Sequence, residues 1–148
     1  MSRRISLRPI PPVSPELAKL LGVREISFTV PLVPPSVNHY VKHTRRGTHY
    51  VTPAGVNFKR ELARCAMGRS LYRGTPEAKL PKLRYQIEVW IYLGPKQRGD
   101  GDNFWKCIGD GLKEAGVIHS DSAVDHWLLH KGRDNANPRT EIVVSIAG

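Results

Sequence analysis

The chain has 148 residues, with 23 Lys+Arg against 13 Asp+Glu, a net charge of +10 and a sequence pI of about 10.0. Hydrophobic residues make up 40% and charged residues 24%, a balance that suits one folded domain and excludes a disordered chain, a collagen-like repeat or a membrane bundle. No apolar run approaches the roughly 20 residues that span a bilayer, and the opening MSRRISLRPIPPVSP lacks the apolar stretch of a secretory signal.

Residues 1–24 read as a basic, proline-rich arm, expected to be partly disordered, ahead of a domain over 25–148. Pro9, Pro11, Pro12 and Pro15 break regular structure there, and Ser14-Pro15 could start one short helix. Residues 25–31 alternate Ile26, Phe28 and Val30 with Ser27 and Thr29, the pattern of a half-buried strand that Pro34-Pro35 ends. Residues 38–51 suggest a hairpin-like loop around the basic turn Lys42-His43-Thr44-Arg45-Arg46-Gly47. Thr52-Pro53 is a helix start, and the helix is expected to run to about Arg69 with Phe58, Leu62, Cys65 and Ala66 facing inward. Residues 70–82 read as loop.

The clearest pattern is 83–93, where Leu83, Tyr85, Ile87, Val89, Ile91 and Leu93 share one parity of a long strand. After a loop from Lys96 to Gly101, Asp102 or Asn103 can cap a helix carrying Phe104, Ile108, Leu112 and Ala115, with Gly116 at its C-terminal turn. Strands at 123–131 and 140–146, joined by a polar turn at 132–138, complete the chain. The expected fold is α+β (mixed α/β): a single domain with two main helices packed on a mixed sheet. Cys65 and Cys107 are too few for a disulfide framework, and are expected as reduced, buried thiols of a cytoplasmic protein.

Charge is distributed unevenly. Residues 1–60 hold ten basic side chains against two acids, whereas Asp100, Asp102, Asp110, Glu114, Asp121 and Asp125 fall within 26 positions. A basic front attracts polyanions through counterion release. The acids suggest a different task. Asp100 and Asp102 sit two residues apart on a glycine-flanked loop between a strand and a helix, with Lys106 one turn beyond Asp102 and Asp121 just after the helix. Two or three carboxylates, with waters and a phosphate, form the oxygen-rich surroundings that Mg²⁺ takes. The same residues also suit plainer roles: turn and cap for Asp100, Asp102 and Asp121, and a solvated ion pair with Asp102 or Asp110 for Lys106.

The run Asp100-Gly101-Asp102-Asn103-x-x-Lys106, followed by Asp110-Gly111-Leu112-x-x-x-Gly116 and Asp121, resembles the signature of the RusA family of phage and bacterial Holliday junction resolvases. Pro34-Pro35-Ser36-Val37-Asn38, following an apolar strand, resembles that family's opening motif, and the likeness extends over about 26–146. It implies a structure-selective, Mg²⁺-dependent endonuclease, with Mn²⁺ able to substitute, that acts as a two-fold homodimer on four-way DNA junctions. On this resemblance Asp100, Asp102 and Asp121 match the metal-binding acids and Lys106 the essential lysine. Two positions depart from the pattern: Gly101 replaces a usually aliphatic residue, and Ser120 replaces the first acid of an Asp-Asp pair.

Lys42, Arg45, Arg46, Lys59 and Arg60 are the expected phosphate contacts. Asn38 and Tyr40 join them as candidate DNA-binding residues, because basic and aromatic side chains together grip distorted strands. His39, His43 and His49 lie in loop and strand, which fits phosphate or base contact better than zinc. Trp105 suits either a stacking or a core position, and His126 and His130 suit exposed strand positions. Two competing classes stand beside the nuclease: a non-catalytic basic nucleic-acid-binding module, and a metal enzyme acting on another phosphorylated substrate.

Overall fold

The computed structural model describes residues 24–36, 40–43, 45–47, 49–97 and 104–146. All of the expected arm at 1–24 except Arg24 lies outside the described residues, as do Asn38, His39 and the segment 98–103 with Asp100 and Asp102.

Strand β1 (Glu25–Val30) buries Ile26 and Val30, as the alternation predicts. A short antiparallel ladder of β2 (Val41–His43) and β3 (His49–Val51) forms the expected hairpin around the basic turn, pairing Val41 with Val51 and Lys42 with Tyr50. The amide of Thr52 donates to the Tyr40 carbonyl at 2.8 Å and closes the foot of this hairpin. Helix α1 (Pro53–Ala66) starts where predicted. Thr52 Oγ1 accepts the Gly55 amide at 3.3 Å, and Pro53 occupies a first-turn position where no amide is needed. It ends before Arg69 because Met67 (φ 54°) and Gly68 (φ 70°) turn into the left-handed region and terminate the helical bonding. The stretch read as loop contains a 3-10 segment at Glu77–Lys82.

Strand β4 (Tyr85–Leu93) forms the centre of the sheet. Helix α2 (Trp105–Glu114) follows, then a 3-10 turn at Asp121–Ala123, β5 (Val124–Arg133) and β6 (Arg139–Ile146). The four-stranded sheet has the order β1-β6-β4-β5, with β4 antiparallel to β6 and parallel to β5. Ile87 is thus flanked by Val144 on β6 and Trp127 on β5. The sheet is mixed, and the fold is α+β as expected. A parallel neighbour requires a crossover, and α2 supplies it.

Tyr85, Ile87, Val89 and Ile91 are fully buried and share one core with Phe58 and Leu62 of α1 and with Ile108 and Leu112 of α2. Burying each such aliphatic side chain contributes about 1.5–3 kcal/mol, so this face of the sheet holds both helices in place. The two helices also meet each other closely. A Cβ placed on Gly111 of α2 would lie 3.1 Å from Leu62 Cδ1 on α1. Among the described residues no helix is long and apolar enough to cross a membrane.

A similar approach governs the hairpin. A Cβ on Gly55 would fall 2.4 Å from Tyr40 Cδ1 and 2.9 Å from Val51 Cγ1. Gly55→Ala should therefore lower stability by about 1–3 kcal/mol, the usual penalty of overpacking. Thermal denaturation of the variant checks this, and an unchanged or raised midpoint would contradict the packing described.

Candidate active site

The crossover β4–α2–β5 carries the chemistry-bearing residues. Strands β4 and β5 run in register, with Tyr85 opposite Val124, so the turn at Asp121–Ala123 lies at the Tyr85 end of the sheet. Helix α2 returns the chain to that end. Trp105, in its first turn, packs on Trp127 of β5 with ring centroids 4.5 Å apart. One turn on, Gly109 faces the same Trp127, and a Cβ there would sit 3.3 Å from the indole and 3.9 Å from Asp121 Cβ. Asp121 therefore lies directly against α2. Ser120 shapes the turn: its hydroxyl accepts the Ser122 amide at 3.2 Å. Ser120 thus caps the 3-10 turn.

Asp121 is exposed, and among the described residues its carboxylate accepts no hydrogen bond. An exposed carboxylate with uncommitted oxygens suits a hard divalent cation. Asp110 differs. It is partly shielded, with 22% of its side chain exposed, and both of its oxygens are committed. Oδ1 receives Lys106 Nζ at 3.2 Å and Oδ2 receives the Tyr40 hydroxyl at 2.7 Å. Lys106 stays more than half exposed on the first turn of α2. Among the described residues no three His, Cys, Asp or Glu side chains gather as a metal-binding group.

The candidate DNA contacts divide. Lys42, Arg45 and Arg46 are exposed on the hairpin, and Arg60 is exposed on α1. Lys59 is largely covered: its ammonium meets Glu114 at 2.7 Å and lies 5.6 Å from the centre of the Tyr40 ring. Tyr40 does not sit as expected of a DNA contact. Its side chain is 1% exposed, so the ring has no face to offer a base. Burial, reinforced by the bond to Asp110, pushes its hydroxyl pKa far up and keeps it a neutral donor.

Trp105 is half-buried against Trp127, between the two positions expected for it. His126 and His130 are exposed as expected, with His130 stacked on Trp90 and bonded to Glu88 at 2.7 Å. In the sequence Asp110 stood out as a motif position and as one of two candidate partners of Lys106. Its second partner, Tyr40, is 70 residues away and carries no local signal.

Comparison with known proteins places this geometry in a family. The family model described as Endodeoxyribonuclease RusA matches residues 31–145, and the chain belongs to that family of nucleases. The chain is 27% identical over 115 residues to the crossover junction endodeoxyribonuclease rusA of Enterobacteria phage 82, covering 78% of this chain and 90% of that relative. It is 28% identical over 122 residues to the crossover junction endodeoxyribonuclease RusA of Escherichia coli K12, covering 82% and 95%. The protein of that name from Shigella sonnei is 26% identical over 122 residues.

The two thiols give a check on the packing of α2. Cys107 is fully buried, and burial pushes its thiol pKa up to about 12, whereas Cys65 is only half-buried on α1. A thiol-specific reagent at pH 8 should label Cys65 first and leave Cys107 unmodified until the protein unfolds. Equal rates in the native protein would show that α2 is not packed as described.

Proposed function

We propose that this chain is a divalent-metal-dependent endonuclease that resolves four-way DNA junctions by paired nicks, with Mg²⁺ as its metal and Mn²⁺ able to substitute. The observation that carries the reading is the seating of Asp121 against Gly109, one turn beyond Lys106, on the helix into which the Asp100–Asp102 segment leads. Asp100, Asp102 and Asp121 would hold the metal. Bound there, a divalent ion supplies an activated water and charge neutralisation at the scissile phosphate.

The remaining work falls to the chain itself. Lys106 is exposed and directs its ammonium along the same helix, where it would face the negative charge that develops on the phosphate. Asp110 has both oxygens engaged and so serves as a partner for Lys106 rather than as a metal ligand. Lys42, Arg45, Arg46 and Arg60 would hold the DNA backbone, leaving the acids for the metal. A four-way junction presents symmetry-related strands, so paired nicks call for two such sites in a two-fold homodimer. The cytoplasm is the matching compartment, since both cysteines are free thiols and the proposed substrate is a DNA junction.

The test uses a synthetic four-way junction, with a linear duplex as control. Wild-type protein should nick the junction with Mg²⁺, bind it without cutting in EDTA, and leave the duplex intact. Asp102→Asn should bind normally yet fail to cut, and Lys106→Ala should cut about 10²–10³-fold more slowly. Cutting by Asp102→Asn at the wild-type rate would defeat the assignment.

The DNA-binding surface has its own check. Reversing Arg45 and Arg46 to Glu should weaken junction binding, and each lost phosphate contact should reduce the slope of log affinity against log salt by roughly 0.9. An unchanged slope would move the footprint off the hairpin.

A further inference from the structure

Tyr40, Asp110 and Lys106 form a continuous chain of contacts across two elements: the foot of the hairpin, then the middle and first turn of α2. The hydroxyl of Tyr40 donates to Asp110 Oδ2 at 2.7 Å, and Lys106 Nζ donates to Asp110 Oδ1 at 3.2 Å. An ordinary i,i+4 pair on a solvated helix face is loose and worth a few tenths of a kcal/mol. This one is not free to wander, because its carboxylate is clamped from the other side by a rigid, buried donor.

The clamp is itself fixed. The Tyr40 ring is 1% exposed, rests where Gly55 leaves room for it, and lies beneath the Lys59 ammonium, while its carbonyl accepts the Thr52 amide. Losing the hydroxyl would leave one buried-side oxygen of Asp110 without its partner and return the carboxylate to rotation. A 1 Å misplacement of a charge at a reacting phosphate can cost 10²-fold.

We propose that Asp110 is the positioning residue of Lys106, and that Tyr40 acts through Asp110 to hold the ammonium in its working orientation. Because Tyr40 immediately precedes β2, the same bond ties the basic hairpin to the helix that carries the lysine. The proposal rests on the role assigned to Lys106 above.

The experiment compares Tyr40→Phe, Asp110→Asn, Lys106→Ala and their pairs, made in the full chain. Tyr40→Phe keeps the ring and removes only the donor. Each of Tyr40→Phe and Asp110→Asn should lower the single-turnover rate of junction nicking about tenfold or more, with junction affinity in EDTA unchanged. In the Lys106→Ala background neither should lower the rate further, since both act through that side chain. A readout independent of cutting comes from amine labelling of metal-free protein: the Lys106 ammonium should acylate several-fold faster in Asp110→Asn, while labelling of Lys42 stays constant.

If the effects are additive with Lys106→Ala, or if Lys106 labelling is unchanged, the positioning role is overturned. If wild-type protein does not cut, the nuclease reading fails instead, and the labelling result still decides the contact. A variant that loses its thermal transition is replaced by Asp110→Glu, which should restore part of the rate if a carboxylate at that position is what matters.

Discussion

The arrangement of the site depends on how closely helix α2 can approach strand β5, and that approach depends on Gly109. The indole of Trp127 would stand 3.3 Å from any Cβ at that position, and Asp121 lies just beyond. A Cβ there would make the indole or the helix give by a few tenths of an ångström, while meeting Asp121 at ordinary van der Waals distance. Trp105 packs at a tilt against the same indole, so one aromatic residue on β5 receives both the first turn of α2 and its midpoint. The edge of the sheet thereby sets where Lys106 stands relative to Asp121.

A second layer fixes the helix from the opposite side. Gly111 admits Leu62, Lys59 crosses from α1 to Glu114, and Tyr40 reaches Asp110 from the foot of the hairpin. Three polar residues of α2, spaced four apart, thus have three different tasks. Lys106 is exposed toward the solvent that DNA would occupy, Asp110 links it to the buried tyrosine, and Glu114 anchors the far end to α1. The Tyr40–Asp110 bond ties the foot of the basic hairpin directly to α2.

Much of the architecture was legible in the sequence because it follows from local physics. The strict alternation over 85–91 gave β4, Thr52-Pro53 gave the start of α1, and the spacing of Phe104, Ile108 and Leu112 gave α2. What escaped was decided by contacts between distant residues. Nothing near Tyr40 in the sequence says that Asp110 will take its hydroxyl; basic neighbours made it look like a surface aromatic, whereas Gly55 gives it a place in the core. The end of α1 was misjudged because Met67, an ordinary helix former, adopts a left-handed conformation ahead of Gly68. Of the candidate site, Lys106 and Asp121 came from motif spacing and Asp110 from its place one turn beyond Lys106, while the bond from Tyr40 to Asp110 came only from the fold.

The central claim is that the side chains at 100, 102 and 121 share one cation beside the Lys106 helix. Paramagnetic broadening by Mn²⁺ in a two-dimensional NMR spectrum of the protein tests it without DNA or turnover. At substoichiometric Mn²⁺, the account predicts that amide signals of 100–109 and 119–123 broaden most, that β1, at the far edge of the sheet from β5, broadens least, and that Asp121→Asn abolishes the effect. Broadening that spares 119–123, or that survives Asp121→Asn undiminished, would contradict it.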